Sequence, residues 1–256
     1  MKATALAAPA HAPRHIIYLL LITLIAPSAL LYAQENGTQG SGTQEAATSA
    51  PARQELLQRL FSAGELTASE RQAFLQVPRA RFLPDDLSAF AEEDRSLPLT
   101  GKAVIPSHSL AETFLSLAGF PEKRSVLIAG AGGGYLAALF QAAGWTVRLE
   151  EFEPQLLERY RSAWEALGLT GIAAEPASSL SGIGADGETY GAVIVHGKVR
   201  RIPANLFAMT SPGGILAAPL SDGAGGYLLM VYRNGEAQSI EAIPAELFPA
   251  SFLAIE

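Results

Sequence analysis

The chain has 256 residues, of which 49% are hydrophobic and 17% charged, and its formal net charge is −7. It contains no cysteine, which excludes disulfides and a lipid anchor attached to cysteine. No basic run stands out against this acidic balance, so nucleic acid is not an expected partner. The sequence also shows no ligand spacing typical of a metal site.

The N-terminal part of the chain is predicted to lie outside the folded domain. A lysine and an arginine precede an almost unbroken apolar run at residues 16–33, which is typical of a secretory signal peptide and just long enough for a signal anchor. Residues 34–53 are polar and low in complexity, as in a flexible linker. Either interpretation of residues 1–33 places the rest of the chain outside the cytoplasm, as a periplasmic or secreted domain that contacts a membrane only through this segment.

Residues 54–256 remain, which are enough for one α/β domain. Apolar residues at 56–61 recur at helical spacing. Residues 67–70 (T-A-S-E) match the capping box and predict a short helix that ends at residues 77–78 (V-P). Residues 109–112 (S-L-A-E) match the same pattern, which predicts that a helix begins there and runs to about Ala118.

Strand and helix patterns alternate from residue 125 onward. Strands are predicted at 125–129, 146–150, 171–174, 192–196, 214–219 and 227–233, and helices at 135–143, 155–167 and 203–209. This alternation predicts an α/β fold, a doubly wound and mostly parallel sheet with helices on both faces and a helical N-terminal extension. The last two strands are predicted to include antiparallel pairing.

A glycine-rich turn, G-A-G-G-G at residues 130–134, joins the first of these strands to an apolar helix. Nucleotide-binding α/β units begin in this way, because glycine lets a ligand approach the backbone closely. Tyr135 occupies the position of the last glycine in the dinucleotide pattern, which favours S-adenosylmethionine (SAM) over NAD. Glu151 ends the next predicted strand, where an acid that binds ribose hydroxyls belongs. The predicted cofactor-binding residues are Gly130, Gly132, Gly134 and Glu151.

Four motifs, in their order and spacing, resemble the protein-L-isoaspartate O-methyltransferase family over roughly residues 54–235. They are V-P-R-A-R-F-L-P at 77–84, A-E-E-D-R-S-L-P-L at 91–99, the strand and glycine turn at 126–135, and S-P-G-G-I-L at 211–216. The resemblance implies the Rossmann-like fold of SAM-dependent methyltransferases, with SAM as cofactor. It also implies protein repair, in which a methyl group is transferred to the isoaspartyl carboxylate of damaged proteins or peptides.

Several positions differ from the family's pattern. Acidic positions of the family are occupied here by Ile128, Pro176 and Gly191, and the family's active-site serine aligns with Ile105. Two hypotheses follow: an exported isoaspartyl methyltransferase that uses Glu151, and an exported non-catalytic protein of the same fold, a pseudoenzyme that serves as a binding module. The loss of three polar positions beside the retained glycines and core favours the second, and export adds to this because SAM is a cytoplasmic metabolite. Binding of SAM discriminates between them.

Two further residues are candidates for catalysis. Ser107 lies two positions after the aligned serine position and is either a substitute for that serine or a polar loop residue. His196 ends a predicted strand on the side where ligands bind, so it is either an acid–base group, in a different small-molecule site, or a loop histidine near the surface.

Two charged groups of the sequence have a functional and a structural interpretation. Asp94 and Arg95 keep the family pattern, and they either hold the active-site loop through an ion pair or are exposed. Lys198, Arg200 and Arg201 form a small basic cluster after the strand of His196, which is interpreted as a solvated face.

Overall fold

The structure of the folded part is a computed structural model that describes residues 53–59, 66–119, 121–184, 187–222, 226–235 and 238–244. Residues 53–59 are helical, so helical structure already includes the residue before the predicted domain boundary. The predicted signal segment at 1–33 and all of the predicted linker except Arg53 lie outside the described residues. Within the described ranges, no helix combines the length and apolar character needed to cross a membrane.

After the helical residues 53–59, the described part of the N-terminal extension contains further short elements. They are helix α1 (Ala68–Gln76), two 3-10 turns (Arg79–Phe82 and Asp85–Phe90), the hairpin strands β1 (Leu97–Pro98) and β2 (Val104–Ile105), and helix α2 (His108–Ala118). The capping box predicted for α1 is confirmed, because the Thr67 side chain accepts from the Glu70 amide and the Glu70 side chain accepts from the Thr67 amide.

The predicted N-cap of α2, Ser109, is wrong by two residues. The helix begins at His108, and Ser107 is its N-cap, with a hydroxyl that accepts from the Leu110 amide at 3.2 Å. Ser109 lies inside the helix and is not the cap, and its hydroxyl and its amide both donate to the Asp94 carboxylate. Ser107 therefore caps the helix, and Ser109 connects the helix to the preceding loop through Asp94.

A seven-stranded sheet forms the centre of the fold. Its strands are β3 (Ser125–Gly130), β4 (Thr146–Glu151), β5 (Ile172–Pro176), β6 (Tyr190–His196), β7 (Thr210–Ser221), β8 (Tyr227–Arg233) and β9 (Ser239–Pro244), arranged β5-β4-β3-β6-β7-β8-β9. The first five are parallel, and β8 is antiparallel to both neighbours. The predicted mostly parallel sheet and the antiparallel pairing of its last two predicted strands are confirmed, whereas β9 was not predicted.

Three further helices follow strands of the sheet: α3 (Gly134–Ala142), α4 (Leu156–Ala166) and α5 (Ala204–Ala208). Helix α3 packs on β4 and β5, α2 packs on β6 and β7, and α5 packs on β7. Every residue of β3 and β6 is buried, as expected for central strands with both faces covered. The chain leaves β3 toward β4 on one side and reaches β6 on the other, and such a switch point creates a crevice at the carboxyl ends of the strands.

Candidate active site

The glycine turn lies at the carboxyl end of β3, between the ends of β4 and β6. Gly130 pairs with His196, and a Cβ atom at Gly130 would lie 2.0 Å from the His196 carbonyl oxygen. A Cβ atom at Gly132 would lie 2.1 Å from the Val104 carbonyl oxygen. Their φ angles of 146° and 97° also belong to the region that side chains disfavour. Glycine is therefore required at both positions by close backbone approach from two directions.

Gly134 has a different structural reason to be glycine. A Cβ atom there would lie 2.4 Å from the ring of Tyr160, and the Gly134 carbonyl accepts from Trp164 Nε1 at 3.1 Å. The absence of a side chain thus lets α3 pack closely on α4. A cofactor contact at Gly134 stays a prediction.

Glu151 ends β4 beside the glycine turn, and its carboxylate is fully buried. The Gly132 amide donates to both carboxylate oxygens, at 3.2 and 3.1 Å, and the Glu153 amide donates to Oε1 at 2.9 Å. Burial raises the pKa of Glu151 to about 7, although the backbone donors act in the opposite direction. The structure therefore brings together the predicted acid and the predicted glycine turn.

This arrangement fits a ribose-containing cofactor. A carboxylate offers about four acceptor sites, and these backbone contacts leave acceptor capacity on Oε2. Glu151 has no exposed surface in this structure, so a ribose hydroxyl would reach Oε2 and stabilise the buried charge only after the neighbouring groups move. The glycine backbone and Glu151 are the groups in this structure that would hold SAM.

His196 is fully buried, so the interpretation as a surface histidine is wrong. Its Nδ1–H donates to the Ala131 carbonyl at 2.9 Å, and its own carbonyl accepts from the Ala131 amide at 3.1 Å. Burial lowers the pKa of His196 to about 4, so the imidazole is neutral at pH 7. The residue braces the glycine turn, and its role as an acid–base group stays a prediction.

One side of the glycine turn is covered by residues 91–107, here called the covering segment, whose Val104 backbone lies against Gly132. Arg79, buried beneath it, donates to the carbonyl oxygens of four residues of this segment: Ala91 at 3.2 Å, Glu93 at 3.1 Å, Arg95 at 2.7 Å and Ile105 at 3.4 Å. Burial lowers the pKa of Arg79 to about 10, so the guanidinium stays charged at neutral pH. One buried cation thus holds the segment whose Val104 carbonyl contacts Gly132.

His108 and Tyr135 connect the covering segment to the helix that follows the glycine turn. His108 Nε2–H donates to the Ala91 carbonyl at 2.9 Å, which leaves Nδ1 to accept from the Tyr135 hydroxyl at 3.2 Å. Burial and the nearby Arg79 cation lower the pKa of His108 to about 4. Sequence reasoning missed this network. Its only signal was the arginine of the V-P-R motif.

The acidic part of the covering segment is attached to α2. The Asp94 carboxylate accepts from the amide and the hydroxyl of Ser109, near the helix N-terminus, where a negative charge is favourable. Arg95 pairs with Glu93. The prediction that Asp94 holds the loop is therefore confirmed, but it does so through the helix end and not through the predicted ion pair with Arg95.

Three of the four positions that depart from the family's pattern are buried, whereas Pro176, at the end of β5, is exposed. Ile105 and Ile128 are fully buried in β2 and β3. A Cβ atom at Gly191 would lie 1.9 Å from the Lys123 carbonyl oxygen, so no side chain fits there. Among the described residues, no group of three or more His, Asp or Glu side chains is arranged to hold a metal ion.

With this geometry established, comparison with known proteins assigns the family. The sequence profile of the family named protein-L-isoaspartate(D-aspartate) O-methyltransferase matches residues 51–248, well over half of the chain. This chain belongs to that family. The family resemblance predicted from the four motifs is confirmed, and with it the assignment to the SAM-dependent methyltransferases.

Individual relatives extend over most of the chain. A protein-L-isoaspartate O-methyltransferase of Ignicoccus hospitalis is 28% identical over 211 residues, which cover 78% of this chain and 95% of that protein. Another, from Roseiflexus, is 30% identical over 67% of this chain and 78% of its own length. Their similarity therefore spans the folded domain and not one motif alone.

Solved structures show the same fold. A protein-L-isoaspartate O-methyltransferase superimposes with a TM-score of 0.67 at 19% identity and covers 80% of this chain and 66% of that chain. A Plasmodium falciparum structure, described as a putative protein-L-isoaspartate O-methyltransferase in complex with S-adenosyl-L-homocysteine, superimposes with a TM-score of 0.63 at 13% identity, covering 80% and 98%. The Rossmann-like methyltransferase fold class is thereby confirmed.

Proposed function

We propose that this protein is a protein-L-isoaspartate O-methyltransferase that methylates isoaspartyl carboxylates in damaged proteins or peptides. The observation that carries the proposal is the position of Glu151. Its carboxylate lies against the Gly132 amide at the switch point of the sheet. The chain itself belongs to the family of isoaspartyl methyltransferases. Glu151 and the backbone of the glycine turn hold SAM, and SAM supplies the methyl group.

The chemistry makes modest demands on the protein's own groups. The acceptor is a carboxylate, which is already ionised at neutral pH and needs no base to remove a proton. The protein accelerates the transfer by holding the two reactants in line, and such positioning supplies a large part of many rate enhancements. Neutral, buried His196 and the carbonyl-bound Arg79 contribute to this positioning by fixing the glycine turn and the covering segment.

The proposed site of action is outside the cytoplasm. The apolar run at residues 16–33, preceded by basic residues, supports this location. A reporter enzyme that is active only outside the cytoplasm, fused after residue 53, tests it directly. We expect activity from the fusion and none when residues 16–33 are deleted. Activity without residues 16–33 would contradict the proposed location.

Titration calorimetry of SAM and of S-adenosylhomocysteine into the purified protein tests cofactor binding. We expect micromolar binding that weakens about 10- to 150-fold in Glu151→Gln, because a hydrogen bond to a carboxylate contributes about 1.5 to 3 kcal/mol. Glu158→Gln, on the exposed face of α4, is the matched control and should bind like the wild type. An isoaspartyl peptide and its aspartyl counterpart then test methyl transfer.

A non-catalytic binding protein of the same fold is the second candidate function. The buried, apolar Ile105 and Ile128 favour it, because they occupy positions where the family's pattern has polar side chains. Folded protein that shows no heat with millimolar SAM would select this candidate. Binding of SAM together with methylation of the isoaspartyl peptide alone would reject it.

A further inference from the structure

A cavity of about 640 Å³ lies beyond the carboxyl end of β6, and the proposed function assigns nothing to it. One wall is the segment 199–205, and the other includes Leu180 and Ser181 from the turn that precedes β6. The first wall begins at Val199, three residues after His196. His196 lies opposite Gly130, because β6 pairs in parallel with β3. The cavity therefore opens at the same edge of the sheet as the glycine turn, where ligands of open α/β folds bind.

The walls of this cavity are fixed by hydrogen bonds to backbone groups. Val199 is buried, its amide donates to the Pro219 carbonyl at 2.9 Å, and its carbonyl accepts from the Ser221 amide at 2.7 Å. Asn205 Nδ2 donates to the carbonyls of Leu180 and Ile183, both at 2.9 Å, and so ties the two walls together. The cavity is thus a preformed feature, and a ligand that enters it pays little ordering cost in the protein.

Arg200 and Arg201 line this cavity and are exposed. Within the part of the chain that the structure describes, neither guanidinium contacts a carboxylate, whereas Arg95 and Arg148 pair with Glu93 and Glu150. Two adjacent arginines without acidic partners are conspicuous on a chain whose net charge is −7. Guanidinium groups bind carboxylates through paired N–H donors, so this cavity is suited to an acidic ligand.

We propose that Arg200 and Arg201 bind the acidic side chains that flank the isoaspartyl residue of a substrate peptide. The inference rests on the proposed function and specifies its substrate class as acidic peptide segments. Ile105 of the covering segment cannot bind an acidic side chain of the substrate, because it is apolar and buried. Arg200 and Arg201, in the segment 199–205, complement the negative charge of these acidic side chains. Selectivity among damaged proteins therefore arises from the residues that flank the isoaspartyl residue.

Fluorescence anisotropy with the full chain tests the proposal without cofactor. One labelled peptide carries Asp and Glu beside its isoaspartyl residue, and its counterpart carries Asn and Gln at those positions. We expect the acidic peptide to bind more tightly, and the double variant Arg200→Gln/Arg201→Gln to weaken its binding about 10-fold while leaving the neutral peptide unaffected. The difference should shrink as salt is raised.

The matched control is Arg81→Gln/Arg159→Gln, which removes the same charge from exposed positions of the first 3-10 turn and of α4. It should leave acidic-peptide binding unchanged within about 2-fold. Equal weakening by both double variants would overturn the proposal by assigning the effect to overall charge. Equal affinity of wild type for the two peptides, or no binding of the acidic peptide, would also overturn it.

Methylation of the same peptides separates this proposal from the proposed function. If both peptides are methylated with equal KM in the wild type and in Arg200→Gln/Arg201→Gln, the docking proposal fails and the proposed function stands. If the acidic peptide binds through the two arginines and is not methylated, the proposed function fails and the binding surface stands. A KM that rises about 10-fold in the double variant for the acidic peptide alone, with kcat unchanged, supports both.

Discussion

The glycine turn and the covering segment form two sides of the candidate active site, and the protein stabilises them in different ways. The turn follows the fully buried strand β3 and lies beside the end of the fully buried strand β6, so apolar packing positions it. The covering segment has only two-residue strands, and a buried cation, one histidine and one aspartate hold it through hydrogen bonds. The glycine turn is therefore expected to keep its position through packing when one side chain is replaced. The covering segment depends on a few hydrogen bonds, each of which a single substitution can remove.

The largest expected effect comes from Arg79→Met, which removes the donors of four carbonyls in the covering segment. We expect the free energy of unfolding to fall by about 3 kcal/mol, because buried acceptors lose their partners. Denaturant titration measures this loss. Arg79→Lys keeps the charge but cannot reach four carbonyls with one ammonium group, so an intermediate loss is expected.

Arg81→Met is the control for this experiment, because Arg81 is exposed on the same 3-10 turn. Its free energy of unfolding should change by less than about 0.5 kcal/mol. Equal losses in Arg79→Met and Arg81→Met would show that the buried cation does not hold the covering segment in place.

A smaller effect on the glycine-turn side is a dependence of stability on pH through Glu151. Burial raises its pKa from the ordinary value of 4.5 to about 7, so between these values the folded protein binds a proton that the unfolded chain has lost. The protonated Glu151 carboxyl therefore contributes its full stabilisation of the folded state below pH 4.5, and this contribution is lost as the pH rises to about 7. Relative to Glu151→Gln, the free energy of unfolding should fall by about 2 to 3 kcal/mol over this range and then stay level.

Denaturant titrations of both proteins from pH 4 to pH 9 measure this difference. Glu158→Gln removes an exposed carboxylate and should follow the wild-type profile. Parallel profiles for wild type and Glu151→Gln would mean that the Glu151 carboxylate is solvated and not held against the Gly132 amide.

The same contrast explains which features the sequence predicted. Strands β3, β4, β5, β6 and β8 lie within two residues of their predicted bounds. In β3, β6 and β8 the signal is a mostly apolar run, which is typical of buried strands. The glycine turn and Glu151 were found together because their spacing follows from local chain geometry. Strand β9 was missed, since its alternation of apolar and polar residues is short and it forms an edge of the sheet.

The polar network of the covering segment was beyond such reasoning. Arg79 binds carbonyls 12 to 26 residues away in the chain, and a carbonyl acceptor has no sequence signature. Ser109 matched a capping pattern and yet bonds to Asp94, because a tertiary partner competes with the local one. Long-range polar contacts of this kind become visible only when the fold is known.

The smallest expected effect distinguishes a cap from a catalytic group at Ser107. Its hydroxyl is buried and accepts from the Leu110 amide, as the Thr67 hydroxyl accepts from the Glu70 amide at the start of α1. Ser107→Ala and Thr67→Ala should therefore each lower the free energy of unfolding by about 1 kcal/mol. We expect both variants to keep wild-type methyl transfer at a temperature where both are folded. A fall of more than about 10-fold in kcat for Ser107→Ala alone would exceed what a lost cap explains, and it would assign Ser107 to the reaction itself.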